Sequence, residues 1–254
     1  MERFISDRNK KAGRKILING KSPKIKSVNP KTYEVENMIG KLRDPFSGLT
    51  HLTGALLSII GLILLVYNAV YYGDIRHVVS FSIFGASLIL LYTASALYHL
   101  LPLSPKGVLV LRRIDHMMIF VLIAGTYTPV CLIPLQGGWG YFLLVGVWTL
   151  AIVGIVLKIF WMEAPRWLST LLYVVMGWLV VVAFWPLIQT LSMGGLIWMA
   201  LGGFFYTIGA VFYGTKWPPN IVPGWFGFHE VFHLFVMAGS FSHFWLMMKY
   251  IMFI

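Results

Sequence analysis

Two histidines, His229 and His233, stand four residues apart in the run FHEVFHLFVMAGSFSHFW at 228–245. On a helix that spacing stacks both imidazoles on one face, one turn apart. Their neighbours are Phe, Leu, Val and Met, and no Lys or Arg follows until Lys249. Imidazoles in so apolar a helix need polar partners, and a bound metal supplies one. A third nitrogen is available from His99, in SALYHLLP. Catalytic zinc typically takes three protein ligands and keeps one position open, and it lowers the pKa of a water towards about 7. Asp115, in RRIDHMMIF, has the chemistry of a general base that holds such a water and passes its proton to a leaving group. Ser95 precedes His99 by four residues, on the same helix face, and can hydrogen-bond the water or a substrate carbonyl. Glu230 adjoins His229 but points about 100° away on a helix, so it is assigned no catalytic role.

The elements that must position these groups are membrane helices. The chain has 254 residues, 58% of them hydrophobic and only 11% charged, and its mean hydropathy is +0.78. Soluble domains carry about 25% charged residues. The apolar runs are long and do not alternate with period two, which favours helices over a barrel. Seven segments approach the roughly 20 residues needed to cross a bilayer. They are 49–71, 79–101, 112–133, 139–160, 167–188, 192–213 and 228–250. The expected fold is an all-α integral membrane protein, a seven-transmembrane helix bundle with short antiparallel connections.

Charge sets the expected orientation. Residues 1–44 hold 12 Lys/Arg against 5 Asp/Glu, and form a basic cytosolic arm ahead of a seven-helix membrane domain, 45–254. Lys106, Arg112, Arg113, Lys158, Arg166 and Lys216 then fall on the arm's side, and only Arg76 and Lys249 on the other. The N-terminus is expected in the cytosol and the C-terminus outside, in the cell membrane. On that topology His99 ends the second span, Asp115 begins the third, and His229 and His233 begin the seventh. All converge at one depth in the inner leaflet.

Most other features read as structure. A lone intramembrane histidine more often bonds a neighbouring helix than a metal, and His51, His77 and His116 read that way. His243 lies ten residues past His233, about 15 Å along the axis, too far to share the same ion. Gly125 to Pro129 reads as a kink whose hydroxyls cover freed carbonyls, with cavity lining as the alternative. Gly194-Gly195 and Gly202-Gly203 suit close helix packing. Trp139, Trp167, Trp217 and Trp225 suit the membrane interface. A short helix is expected over Glu34–Leu42. The single cysteine, Cys131, excludes an intramolecular disulfide and a Cys-based zinc site. The N-terminus lacks the pattern of a signal peptide. The arm has few aromatics and no recognisable module, so it is read as touching anionic lipid head groups, with no nucleic acid as partner.

The pieces LTHLTGALLSIIG at 49–61, SALYHL at 95–100, RRIDHMMIFVLIAGTYTP at 112–129 and HEVFHLF at 229–235 resemble the haemolysin III family. That family is the bacterial branch of the progestin and adipoQ receptors, which include the adiponectin receptors. The resemblance spans 45–250 and implies a seven-helix fold with an intramembrane zinc (Zn2+). It puts the metal on His99, His229 and His233, the zinc water on Asp115, and the family's serine on Ser95. Asp44 and Ser47, in DPFSGLTH, stand where the family has a different Glu/Asn pattern. The wider superfamily includes alkaline ceramidases, which implies a membrane lipid as substrate. Three function classes stay open. They are a zinc-dependent hydrolase of lipid amides or esters that affects membrane homeostasis, a cytolytic or pore-forming haemolysin, and a receptor-like regulator with structural zinc.

Overall fold

The computed structural model describes residues 42–219, 221–222 and 226–254. The basic arm up to residue 41, nearly all of the Glu34–Leu42 helix and Trp225 lie outside the described residues. Within them the fold is all helix, with no strand. The rods are α1 (Pro45–Tyr72), α2 (Ile75–Leu100), α3 (Pro105–Leu132), α4 (Gly138–Phe160), α5 (Arg166–Trp178), α6 (Phe184–Thr190), α7 (Met193–Thr215) and α8 (Phe228–Leu246). A 3-10 turn, Leu179–Ala183, joins α5 and α6 end to end, so eight α-helices make seven rods. Six rods are long and apolar enough to cross a membrane. The seventh, α3, starts with Lys106, Arg112 and Arg113 in its early turns.

The helix ends explain why several rods outrun their apolar segments. Pro45 and Pro105 each occupy the first helical turn, where a missing N–H costs nothing. Ser104 caps α3 by accepting from Gly107 N–H. The break in the fifth rod has a local cause. Pro186 cannot donate to Val182, so it is tolerated only in the first turn of a new helix, α6. Tyr127 of α3 covers the groups freed there. Its hydroxyl lies 2.9 Å and 2.8 Å from the carbonyls of Met176 and Gly177, and it accepts from Val180 N–H at 2.7 Å. In α3 itself, Pro129 stands inside the helix, and Thr126 and Thr128 bond back to Leu122 O and Ala124 O. These are not Gly125 O, the carbonyl to which Pro129 cannot donate, and Thr126 and Tyr127 line a cavity, the alternative read from this stretch.

Side-chain placement is that of a protein solvated by lipid. Phe160, Trp185 and Met193 are exposed, while serines, threonines and histidines are buried. Lipid gives apolar helices no reason to associate, so close packing and polar pairs hold the rods together. Gly195, Gly202 and Gly209 repeat every seven residues along α7 and form its buried side, with Gly202 and Gly209 set against α8. Gly54 of α1 admits the Tyr92 ring of α2 in the same manner.

At the far end from His99, Asp74 caps α2. Its Oδ1 accepts from the backbone N–H of Arg76 at 2.9 Å and of His77 at 3.2 Å. The guanidinium of Arg76 and the ring of His77 hold its carboxyl well below the usual carboxylate range. A lowered carboxyl stabilises the fold above the unfolded value near pH 4 and loses that contribution as the pH falls through its own. Asp74→Asn keeps a good cap. It loses the charge, however, and is expected to melt somewhat below the wild type at pH 7, the gap closing as the pH falls. Between pH 5 and pH 3 its melting temperature should fall less than that of the wild type. Parallel melting curves across that range would refute the account.

Candidate metal centre

His99 ends α2, and His229 and His233 fill the first two turns of α8. The three rings meet. One ring nitrogen from each lies within 4.8 Å of the others, and the Nε2 atoms of His99 and His229 are 3.2 Å apart. Two nitrogens at about 2.0–2.1 Å from one tetrahedral ion stand roughly 3.3 Å apart, so this pair is already at ligand spacing. His99 and His233 are buried and His229 is half-buried.

The start of α1 holds this cluster in place. Asp44 occupies the cap position of α1, yet its side chain caps nothing. Its Oδ2 accepts instead from His99 Nδ1 at 2.8 Å, and its N–H donates to His99 O at 2.9 Å. Burial pushes the Asp44 carboxyl up, but the hydrogen bond and charge of His99 outweigh this and hold it below the usual range. With its proton on Nδ1, His99 keeps the Nε2 lone pair free for a cation. A carboxylate behind a ring nitrogen is the support that metal-binding histidines ordinarily have. Glu230 Oε2 accepts from Gly227 N–H at 2.7 Å, and Glu230 Oε1 accepts from Ser47 at 2.8 Å. Glu230 thus caps α8 and ties it to α1.

His51 departs from its expected role as an interhelix hydrogen-bond partner. Neither of its ring nitrogens has a partner among the described residues, and the ring lies flat on His233 with centroids 3.6 Å apart. The stack fixes the plane of the His233 ring, whose Nδ1 is also unpartnered. His116 does reach another helix, with Nε2 3.4 Å from the Tyr213 hydroxyl. His77 serves the cap of α2. The donor set, the carboxylate behind His99 and the unmet nitrogen of His233 together suit a divalent cation.

Ser95, Asp115, His229 and His233 line one cavity of about 800 Å³. Its walls come from every rod except α4, and among the described residues Asp115 is the sole Asp, Glu, Lys or Arg in its lining. Cations flank the same end. Arg43 lies 4.0 Å over the Tyr98 ring, next to His99, and Arg166 lies 4.8 Å over Tyr213. Asp44, Ser47 and His51 escaped the reading of the sequence as site residues. Their spacing, i, i+3 and i+7, places them on one face of α1, and that periodicity was the available signal.

A family model described as haemolysin-III related matches residues 40–244, which include every residue of the cluster. The chain belongs to the haemolysin III family. It is 44% identical over 204 residues to the Hemolysin-3 homolog of Bacillus subtilis (strain 168), an alignment covering 80% of this chain and 92% of that protein. Hemolysin-3 of Bacillus cereus is 41% identical over 207 residues, 81% of this chain and 90% of the relative. More distantly, the ADIPOR-like receptor IZH2 of Saccharomyces cerevisiae is 42% identical over 52 residues, which are 19% of this chain and 16% of the receptor. This haemolysin III protein is a multi-pass protein of the cell membrane.

The Asp44 contact carries a direct consequence. Asp44→Ala leaves His99 without its acceptor, and loss of such a partner typically costs about 10- to 100-fold in metal affinity. Competition with a zinc-sensitive dye on the purified protein should read that loss. Unchanged affinity would reduce Asp44 to a link between α1 and α2.

Proposed function

We propose that this haemolysin III protein is a zinc-dependent hydrolase of lipid amides that acts on the membrane it sits in. The observation that carries the reading is a buried three-histidine cluster, backed by Asp44, opening on an apolar-walled cavity that also holds Asp115 and Ser95. Three protein ligands with one position open is the pattern of catalytic zinc, whereas structural zinc usually has four protein ligands. Zinc held there supplies Lewis acidity and brings the pKa of a water towards about 7. Asp115 would hold a water and take its proton as the water oxygen adds to the amide carbon. As the carbon–nitrogen bond breaks, Asp115 returns the proton to the departing amine. Ser95 donates to the carbonyl oxygen and fixes its angle. The cavity takes the acyl chain and excludes bulk water.

The topology belongs to the same proposal. All seven rods span the bilayer, in accord with the name of a relative, Heptahelical transmembrane protein 1 of Arabidopsis thaliana, 28% identical over 191 residues. Arg43, Arg112 and Arg166 stand at the cluster end of the bundle, and this positive charge supports a cytosolic position for that end and for the N-terminus. The basic arm then lies along anionic head groups.

Metal analysis of the purified protein, followed by incubation with short-chain ceramides with and without a chelator, tests the reading. The expected result is about one zinc per chain and fatty-acid release that the chelator abolishes. A folded protein that holds no metal, or that holds zinc and releases nothing from any lipid amide, would overturn it. The name Hemolysin-3 carried by the Bacillus cereus relative supports a second reading, lysis of target membranes. Vesicle leakage that persists after substitution of all three histidines would favour it.

A further inference from the structure

Three guanidiniums gather at the triad from separate parts of the chain. Arg43, just ahead of α1, lies over the Tyr98 ring, and Tyr98 adjoins His99. Arg166, at the start of α5, lies over Tyr213 and also 5.7 Å over Phe228, which adjoins His229. Arg112 stands one turn before Asp115 on α3. The charges of Arg43 and Arg112 reach Asp115, and those of Arg43 and Arg166 reach His229. Topology alone asks for positive charge at this end. It does not ask for guanidiniums laid on rings beside the triad; Lys106 and Lys216 supply charge there and lie on no ring among the described residues.

These cations are open to a ligand. Arg43 and Arg112 are exposed and Arg166 is half-buried. No ion pair among the described residues involves any of the three. Their one side-chain hydrogen bond there is from Arg166 Nη1 to Tyr213 O, at 3.5 Å. Stacking on a ring occupies the face of a guanidinium and leaves its N–H edge, the fork that fits a phosphate, free.

The cavity sets which part of a substrate meets them. Tyr213 and Met193 both line it, and they stand twenty residues apart on α7, about 30 Å along the axis. Around Met193 the lining is Phe184, Leu187, Ile188, Leu196 and Ile197, all apolar. An acyl chain therefore lies toward Met193, the amide at the triad, and the amine portion toward the arginines. Three cations there match an anionic amine portion, and a phosphate monoester carries about −1.5 to −2 at pH 7.

We propose that the substrates are lipid amides whose amine portion carries a phosphate, with Arg43, Arg112 and Arg166 as the residues that select it. The inference rests on the reading of the site as a lipid amidohydrolase and adds the chemistry of the amine side. Water is split across the carbon–nitrogen bond, giving a fatty acid and a phosphorylated amine.

Three probes offered to the full-length, zinc-loaded protein in phosphatidylcholine nanodiscs test this. The first is N-palmitoylethanolamine, which is neutral. The second is its phosphate ester. The third carries the same phosphate at the tail of the acyl chain and controls for charge alone. The second should bind about 10- to 100-fold more tightly than either other, the range of one charge-assisted hydrogen bond, and should release its fatty acid faster. Arg166→Gln should cut the binding preference at least severalfold. Arg166→Lys, which keeps the charge but not the fork, should retain more of it. Equal binding of the first two probes by the wild type overturns the phosphate station, whatever their turnover. So does a gain that the tail-phosphate isomer shares, or one that survives when Arg43 and Arg166 are both changed to Gln. Inorganic phosphate that raises binding of the neutral amide to the same level would identify a free anion and overturn it too. Selective binding of the phosphorylated amide without fatty-acid release overturns the hydrolase reading and leaves the phosphate station standing. Should the variants not fold, the two phosphate isomers on the wild type still decide.

Discussion

His233→Ala is expected to empty the metal centre, lowering zinc affinity by roughly a thousandfold. Binding of zinc by four-ligand peptide sites is worth about 10–16 kcal/mol, so one nitrogen of three carries several kcal/mol, and each 1.4 kcal/mol is tenfold. Metal content after dialysis against a weak chelator reads the effect directly. His233 is also the ring beneath His51, so some of the loss could reflect packing. His51→Phe keeps a flat ring on His233 and separates the two: it should retain zinc where His233→Ala does not. His116→Ala, outside the cluster, should behave as the wild type. Full zinc retention by His233→Ala would show that the three imidazoles meet for a reason other than a cation.

Much of this centre was readable because period and composition act independently. The HxxxH pair sets one helix face, and the apolar runs set roughly where each rod lies, so His99 and the pair are expected at one level. The cluster of His99, His229 and His233 agrees with that expectation. Ends were harder. The apolar segment of the third rod starts at 112, whereas the helix starts at Pro105, because a cap and a proline set the start and hydropathy does not register them. The 3-10 break at Leu179–Ala183 packs against Tyr127, fifty residues away, whose hydroxyl lies beside the Met176 and Gly177 carbonyls. Nothing within the fifth segment encodes that partner.

The supporting residues were hidden for a different reason. Asp44 looks like the last residue of a basic arm, and next to a proline it reads as a helix cap. Its function comes from where α2 ends, a tertiary fact. His51 was visible as a buried histidine, but whether it would bond, ligate or stack depended on the distance between α1 and α8. Stacking at 3.6 Å was outside what spacing along one helix can specify.

Asp115→Asn is expected to keep its zinc and lose turnover of a lipid amide by about 10²–10⁴-fold, the usual contribution of a positioned proton-transfer group. Asparagine has nearly the same shape and still offers an oxygen to the cavity, but it cannot accept and return a proton. The contrast with Asp44 is informative because both are aspartates near the same cluster. Asp44 bonds His99 Nδ1, so its loss falls on metal affinity. Asp115 faces the cavity rather than the back of a ring, so its loss falls on the chemical step. Zinc content and fatty-acid release measured on both variants give opposite patterns if the roles are as assigned. Loss of zinc from Asp115→Asn would make Asp115 a fourth ligand and turn the centre towards a structural role. Unchanged zinc with unchanged turnover would leave the cavity without a base, since its lining offers no other carboxylate among the described residues.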